Sequence, residues 1–417
     1  MDVTDDVPGF AGFNLIEPSD YAARGYPHPL FTKLRREHPV FRWERTQGPP
    51  FWAITKYDDL VAIGKDPARF LNGPRLVLQN EPEVEDLFPK TLIQMDPPKH
   101  TDYRKAVSKR FTPGKMRHLH ADIEKIATEI IDGLLARGLE SECDFVHEVS
   151  APLPIAVIGW MLGVPKADWP LLFDWTNRTI GATDPDFQTP GKDSRESSME
   201  AMAELFTYFT HLVAEKRRNP TDDLVSVFAH LEVNGEPIPE IDVLTWCLII
   251  VVAGNETTRN ATSGGLLAFV ENPEQMRRVQ QNPALLPSAV EEIVRWTSPI
   301  IHFARTATED VELRGRKIRK GDVLGLFYTS ANRDEEIFED PFNFRVDRSP
   351  NRHIGFGVGE HYCLGAHVAR LELEMVFKHL LPRFAEIELA GPVTRLHSAL
   401  VGGVKSLPIR YRLHANR

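Results

Sequence analysis

The chain has 417 residues, a formal net charge of -10 and 42% hydrophobic residues. That composition is the ordinary one of a soluble globular protein, and the acidic balance argues against general nucleic-acid binding. Its three cysteines, Cys143, Cys247 and Cys363, cannot all pair and none is placed for a disulfide, which suits a reducing cytosol. The opening Met1-Asp2-Val3-Thr4-Asp5-Asp6 is acidic and lacks an apolar core, so it reads as neither a secretory signal nor a membrane anchor. Length alone would suggest two or three domains, but no linker, repeat or charge block divides the chain. Residues 1–417 are therefore read as one large, mainly α domain with small sheets.

In chain order, Phe41-Arg42-Trp43 and Phe51-Trp52-Ala53-Ile54 read as short strands around Gln47-Gly48-Pro49-Pro50. Met95-Asp96-Pro97-Pro98 gives a stiff entry to a helix on which His100 and Arg104 share a face. Arg104, Lys105, Lys109, Arg110, Lys115 and Arg117 follow with no acidic residue among them, a pattern that a solvated helix face also satisfies. Helical apolar spacing runs over Lys115 to Leu135, Pro152 to Leu162, Ser198 to Arg218 and Ile241 to Phe269. The polar stretch Ala182 to Glu196 reads as a long loop of the kind that acts as a lid.

Ala253-Gly254-Asn255-Glu256-Thr257-Thr258 follows an apolar stretch, Val243 to Val252, that is too short to span a bilayer, which takes about 20 residues. A polar block in a buried helix is costly without a function or a partner. The plain alternative for its threonine is a hydroxyl bonded to its own helix. Further on, Glu292-Ile293-Val294-Arg295 sets a carboxylate and a guanidinium three apart on a helix begun by Pro287 and Ser288 and followed by Pro299. Spacing alone is equally met by a weak surface pair. Val311 to Leu313 and Lys317 to Ile318 read as strands around Gly315.

The most informative residue is Cys363, in Phe356-Gly357-Val358-Gly359-Glu360-His361-Tyr362-Cys363-Leu364-Gly365. It lies between a glycine-punctuated turn and a helix whose apolar stripe is Val368, Leu371, Met375 and Leu380. A helix start favours a thiolate over a thiol, so this cysteine could bind iron through sulfur. Gly357 and Gly359 would let the backbone approach something flat and bulky. A small buried thiol in a structural turn remains open on spacing alone. A zinc site would need more ligands than His353 and His361 supply nearby.

This segment resembles the haem-binding loop of the cytochrome P450 superfamily, Phe-x-x-Gly-x-x-x-Cys-x-Gly, at Phe356, Gly359, Cys363 and Gly365. The three motifs before it follow in the family's order. The resemblance implies that Cys363 is the iron ligand of a haem b, iron protoporphyrin IX, and that thiolate ligation favours O–O cleavage. It implies that Glu256 and Thr257 form the acid–alcohol pair that delivers protons during oxygen activation, with Glu where many relatives carry Asp. Gly254 would widen the helix groove for oxygen. His100, Arg104, Arg305 and His361 would meet the haem propionates. Glu292 and Arg295 would scaffold the loop from behind, with Arg348 rather than Arg345 as third member.

By the same likeness, the substrate pocket would be lined by Leu76 to Leu92, the helix around Ile249 and Ala253, Pro299 to Phe303, and Ala399 to Val401. Its side chains include Leu76, Val77, Leu78, Phe88, Leu92, Ile249, Ile300, Ile301, Phe303, Leu400 and Val401. Glu81, Glu83 and Glu85 would face solvent. His302 could meet a substrate hydroxyl, or simply be a core histidine.

The expected protein is a cytoplasmic haem-thiolate monooxygenase of bacterial type, hydroxylating an apolar terpenoid, sterol-like molecule or branched lipid with O2. The chain has no flavin or iron–sulfur motif, so electrons would come from a separate ferredoxin with its own reductase, docking on the basic run. No nucleic acid and no membrane anchor are expected. The alternatives are a peroxide-driven or O2-independent haem-thiolate enzyme and a non-enzymatic haem sensor.

Overall fold

A computed structural model describes residues 3–45, 48–78, 89–108, 111 and 113–415, without the side chains of 113–118. The architecture is mainly helical with small sheets. The expected helices are found at Pro113–Leu135, Pro152–Leu162, Ser194–Arg218 and Glu240–Glu271. Their ends follow local chemistry. Pro152 occupies the first helical turn, where no amide donor is needed, and Gly163 ends that helix in the left-handed region at φ 71°. Asp193 and Glu196 form a reciprocal cap that starts the next long helix at Ser194, slightly before the sequence signal.

The 32-residue helix Glu240–Glu271 organises the molecule. Among the described residues it is the one helix long and apolar enough to cross a membrane by length and composition, because its apolar character continues past the polar block. It packs instead against the helices Pro152–Leu162, Trp169–Ile180, Ser194–Arg218, Leu286–Thr297 and Ala366–Leu380. Val243, Trp246, Val251, Leu266 and Phe269 are buried in the largest apolar cluster. Apolar faces meeting in this way contribute roughly 25 cal/mol per Å² removed from water.

A five-stranded sheet stands to one side, in the order Val40–Trp43, Phe51–Ile54, Val323–Phe327, His302–Ala307, Phe70–Leu71. Phe51–Ile54 and Val323–Phe327 run parallel, and the other neighbours are antiparallel. A second sheet joins Phe384–Leu389, Pro408–Leu413 and Glu140–Asp144. Val311–Leu313 pairs with Arg316–Ile318 around a tight turn in which Arg314 and Gly315 both have positive φ.

Candidate active site

The cysteine loop is fastened from behind. Glu292 accepts two 2.7 Å bonds from Arg295, and both residues are fully buried. Arg348 Nε reaches the same carboxylate at 3.0 and 3.2 Å, Asn351 Nδ2 at 3.1 Å and the Arg345 backbone N–H at 2.9 Å. Arg345 contributes only that amide, since its own guanidinium pairs with Glu339 and Asp347. The two buried arginines spend their remaining N–H groups on carbonyls of residues 332–343. Arg295, on carbonyls of residues 332–343, and Arg348, Asn351 and the Arg345 amide, on Glu292, tie the helix Leu286–Thr297 to the chain leading into the loop, the arrangement in which a buried ion pair is tolerated.

The loop itself turns at Gly357 and Gly359, both with φ above +70°. The space beside Gly359 is taken by protein, because an added Cβ would lie 2.1 Å from the carbonyl oxygen of Gly64. Gly365 faces open space. The Cys363 N–H donates to the Phe356 carbonyl at 2.8 Å, which closes the loop, and the following helix is Ala366–Leu380. Cys363 keeps accessible surface. Burial pushes its thiol upward, while the Gly365 N–H, Arg104 and Arg370 pull the other way. A cation at the sulfur would reverse the balance, since a coordinating thiol is deprotonated outright.

His100, Arg104, Arg305 and His361 converge beside this cysteine. The His100 and His361 rings stack with centroids 4.0 Å apart. Both ring nitrogens of His100 and Nε2 of His361 are buried without a hydrogen-bond partner among the described residues; Glu360 stays 3.8 Å from His100. Burial, with the neighbouring cations second, depresses His100 to about 4 and His361 to about 2. Arg305 is buried, and one of its N–H groups bonds the Ala304 carbonyl at 2.7 Å. Arg104 donates to the Tyr362 carbonyl, which sets the helix Lys99–Ser108 against the loop. Unpartnered nitrogens gathered among cations fit an anionic group such as a pair of propionates. With the open space at Gly365 and the accessible Cys363, the residues fit a haem.

On the central helix, Ile249, Ile250, Ala253, Gly254 and Thr257 are partly open while Val251, Val252, Asn255, Glu256 and Thr258 are buried. The Thr257 hydroxyl donates to the Ala253 carbonyl at 2.8 Å, so its oxygen lone pairs remain available to accept. Glu256 turns elsewhere. Its Oε2 accepts from Arg259 at 2.6 Å, and Arg259 also reaches Asn177 at 3.1 Å. Oε1 makes no bond of normal geometry. Burial raises the Glu256 carboxyl above the usual range, opposed by Arg259 and then Asn260. The acid and the alcohol are thus neighbours in sequence without a bond between them. An added Cβ at Gly254 would meet the end of the Ile158 side chain, from the helix Pro152–Leu162, at 2.8 Å.

The expected pocket residues divide. Val77, Ile249, Ile300, Phe303 and Leu400 keep open surface, whereas Leu76, Leu78, Leu92, Ile301 and Val401 are buried. Phe88, Glu81, Glu83 and Glu85 lie outside the described residues, as do Lys109 and Arg110. His302 is a core histidine, fully buried and accepting the Leu78 N–H at 3.3 Å. The loop before the helix Ser194–Arg218 is tied to the hairpin Thr394–Arg395/Val404–Ser406. Lys405 holds Asp184 at 2.9 Å and Asp186 at 2.6 Å, and Phe187 lies under Arg259 at 5.8 Å. Sequence reasoning missed Arg259 and this tether, as well as Glu291, His353 and Arg370 in contact with the loop. The i, i+3 spacing of Glu256 and Arg259 was the one available signal.

An accessible cysteine beside buried, unpartnered histidine nitrogens, in a loop buttressed by a buried Glu–Arg–Arg cluster, is the residue set of a haem-thiolate protein. The family model for Cytochrome P450 matches residues 13–390, and the chain belongs to that family. It is a monooxygenase by that membership and by its relatives. The chain is 38% identical over 390 residues to the methyl-branched lipid omega-hydroxylase of Mycobacterium tuberculosis, covering 91% of this chain and 90% of that one. It is 36% identical to the steroid C26-monooxygenase of the same organism, covering 96% and 93%. The crystal structure of CYP108D1 from Novosphingobium aromaticivorans superposes with a TM-score of 0.87 at 38% identity, covering 98% and 99%.

Proposed function

We propose that residues 1–417 form one catalytic domain that binds haem b through Cys363 and hydroxylates an apolar, methyl-branched substrate: a branched lipid, a sterol-like molecule or a terpenoid. The observation that carries this reading is the accessible Cys363 beside buried, unpartnered nitrogens of His100 and His361. When bound, haem supplies the activation of O2, which no side chain can perform.

The residues do the rest. Cys363 holds the metal, and His100, Arg104, Arg305 and His361 hold the propionates. Thr257 accepts and passes protons at its hydroxyl oxygen, its own proton being parked on the Ala253 carbonyl. Glu256, whose carboxyl burial shifts upward, resupplies them by swinging away from Arg259. Val77, Ile249, Ile300, Phe303 and Leu400 favour hydrocarbon and keep water out. The names of the relatives support the substrate class.

A separate acidic ferredoxin would bring the electrons to the basic run. Arg104, the first residue of that run, donates to the carbonyl of Tyr362, the neighbour of Cys363. Complementary charge mainly raises the association rate and weakens with salt.

The test is spectroscopic first. Reduced protein with CO should show the absorption band diagnostic of thiolate ligation. Branched lipids, sterols and terpenoids should displace the water on the iron and shift the haem band, and small polar aromatics should not. Tight binding by polar aromatics alone would overturn the substrate class. Turnover with peroxide but none with NADH, reductase and ferredoxin would replace the electron-driven reading.

A further inference from the structure

Glu291 stands beside Glu292 on the same helix but serves a different network. Its Oε1 accepts from Arg370 Nε at 2.5 Å and its Oε2 from Arg370 Nη2 at 2.9 Å, a two-pronged pair. Oε2 also lies 3.0 Å from His353 Nε2. The Gly355 N–H donates to His353 Nδ1 at 3.2 Å, which makes Nδ1 the acceptor and Nε2 the N–H that faces Glu291. Arg370, from the helix after the cysteine, also bonds the Ala366 carbonyl of its own helix at 3.4 Å and reaches the loop twice: Nη1 meets the Tyr362 hydroxyl at 3.2 Å, and the guanidinium lies 4.3 Å above the Phe356 ring. Phe356 is the residue whose carbonyl receives the Cys363 N–H.

We infer that the Glu291–Arg370–His353 cluster is a clamp that positions the Cys363 loop and thereby keeps the sulfur on the metal. The inference rests on the haem-thiolate reading above. One glutamate and one arginine, from two different helices, grip the loop before its turn at His353, at its middle at Phe356, and beside the ligand at Tyr362. Displacing Arg370 would free Phe356 and Tyr362 together, the two residues that fix the backbone on either side of the loop-closing bond. The carboxylate is held at about 2 by these donors against the opposing effect of burial, so the clamp is charged throughout the working range of pH.

Two plainer readings fit less well. A partly exposed ion pair normally contributes little, but this one is bidentate, includes a nearly buried histidine and carries the ring contact. Arg370 as a docking cation for a redox partner is disfavoured, because Glu291 already neutralises it.

The experiment uses the haem-loaded enzyme and four proteins: wild type, Glu291→Gln, Arg370→Ala and Arg370→Lys. The reading is the rate at which the thiolate-type band of the reduced CO complex is lost in mild denaturant, with the haem reduction potential measured alongside. Far-UV circular dichroism follows global unfolding separately. Glu291→Gln and Arg370→Ala should each lose the band at least about tenfold faster than wild type, before any change in helix content. Arg370→Lys, which keeps a charge but not the fork or the stack, should fall between. Rates within twofold of wild type, or band loss that merely tracks global unfolding, would overturn the clamp while leaving haem-thiolate ligation intact. Absence of the band from wild type itself would bring down the underlying reading and the clamp with it.

Discussion

The cysteine loop and the central helix use buried polar groups in opposite ways. Behind the loop, Glu292 receives bonds from Arg295, Arg348, Asn351 and the Arg345 amide, and the arginines finish on backbone carbonyls. On the central helix, Asn255 has neither amide atom partnered among the described residues, and Glu256 leaves one oxygen without a good bond. Asn351 Oδ1 is unpartnered among the described residues, but both oxygens of Glu292 are fully bonded, and a saturated carboxylate has no alternative arrangement of similar energy, so it suits a loop that must hold one atom in place. Unused hydrogen-bonding capacity costs stability, yet it lets an acid change partners and protons move. Rigidity is built where the ligand sits, and polar slack where reactants must be handled.

The largest effect expected from testing this contrast is at Cys363. Cys363→Ala should abolish the thiolate-type band of the reduced CO complex, and its survival would end the assignment. Next, Arg295→Ala should destabilise the fold by about 3–5 kcal/mol, the usual consequence of stranding a buried charge, as measured by denaturant unfolding. A loss below about 1 kcal/mol would mean that the carboxylate behind the loop is not saturated in the working protein.

Thr257→Ala should leave folding and haem binding intact and lower the fraction of NADH electrons recovered in product by at least about tenfold, short of the roughly 10²–10⁴-fold that a positioned proton donor contributes to a rate. Unchanged coupling, read from peroxide and product yields, would show that the slack on the central helix is not used for protons.

The smallest effect concerns Glu291. Its folded value, about 2, lies below the ordinary 4.5, so its stabilisation is complete above about pH 4.5 and disappears as the pH falls towards 2. Glu291→Gln should be less stable than wild type by about 1 kcal/mol or less at pH 7, given its partial exposure, and the gap should close across that acid window. A gap that stays constant from pH 7 to pH 3 would show that the charge on Glu291 is not what holds the loop.

Much of this protein is legible in its sequence because the relevant signals are local. Helical apolar spacing located the helix Pro152–Leu162 to the residue, and Gly315 marked the hairpin Val311–Leu313/Arg316–Ile318. The fixed positions around Cys363 carried the family. Pairings between distant segments were decided by the tertiary structure. Phe51–Ile54 lies parallel to Val323–Phe327, some 270 residues on, and no local pattern encodes that choice. Glu256 faces Arg259 and the loop around Asp184, because helix packing and not sequence adjacency sets where a buried carboxylate finds its cation. Gly254 answers to Ile158 across a helix interface. Glu291 and Arg370 are 79 residues apart, and each alone reads as a surface charge. The sequence by itself determined the family and the main helices, since these rest on short-range geometry. Folding decided which charges are buried together, which polar atoms are left over and which side chains meet open space, since those depend on what packs against each face.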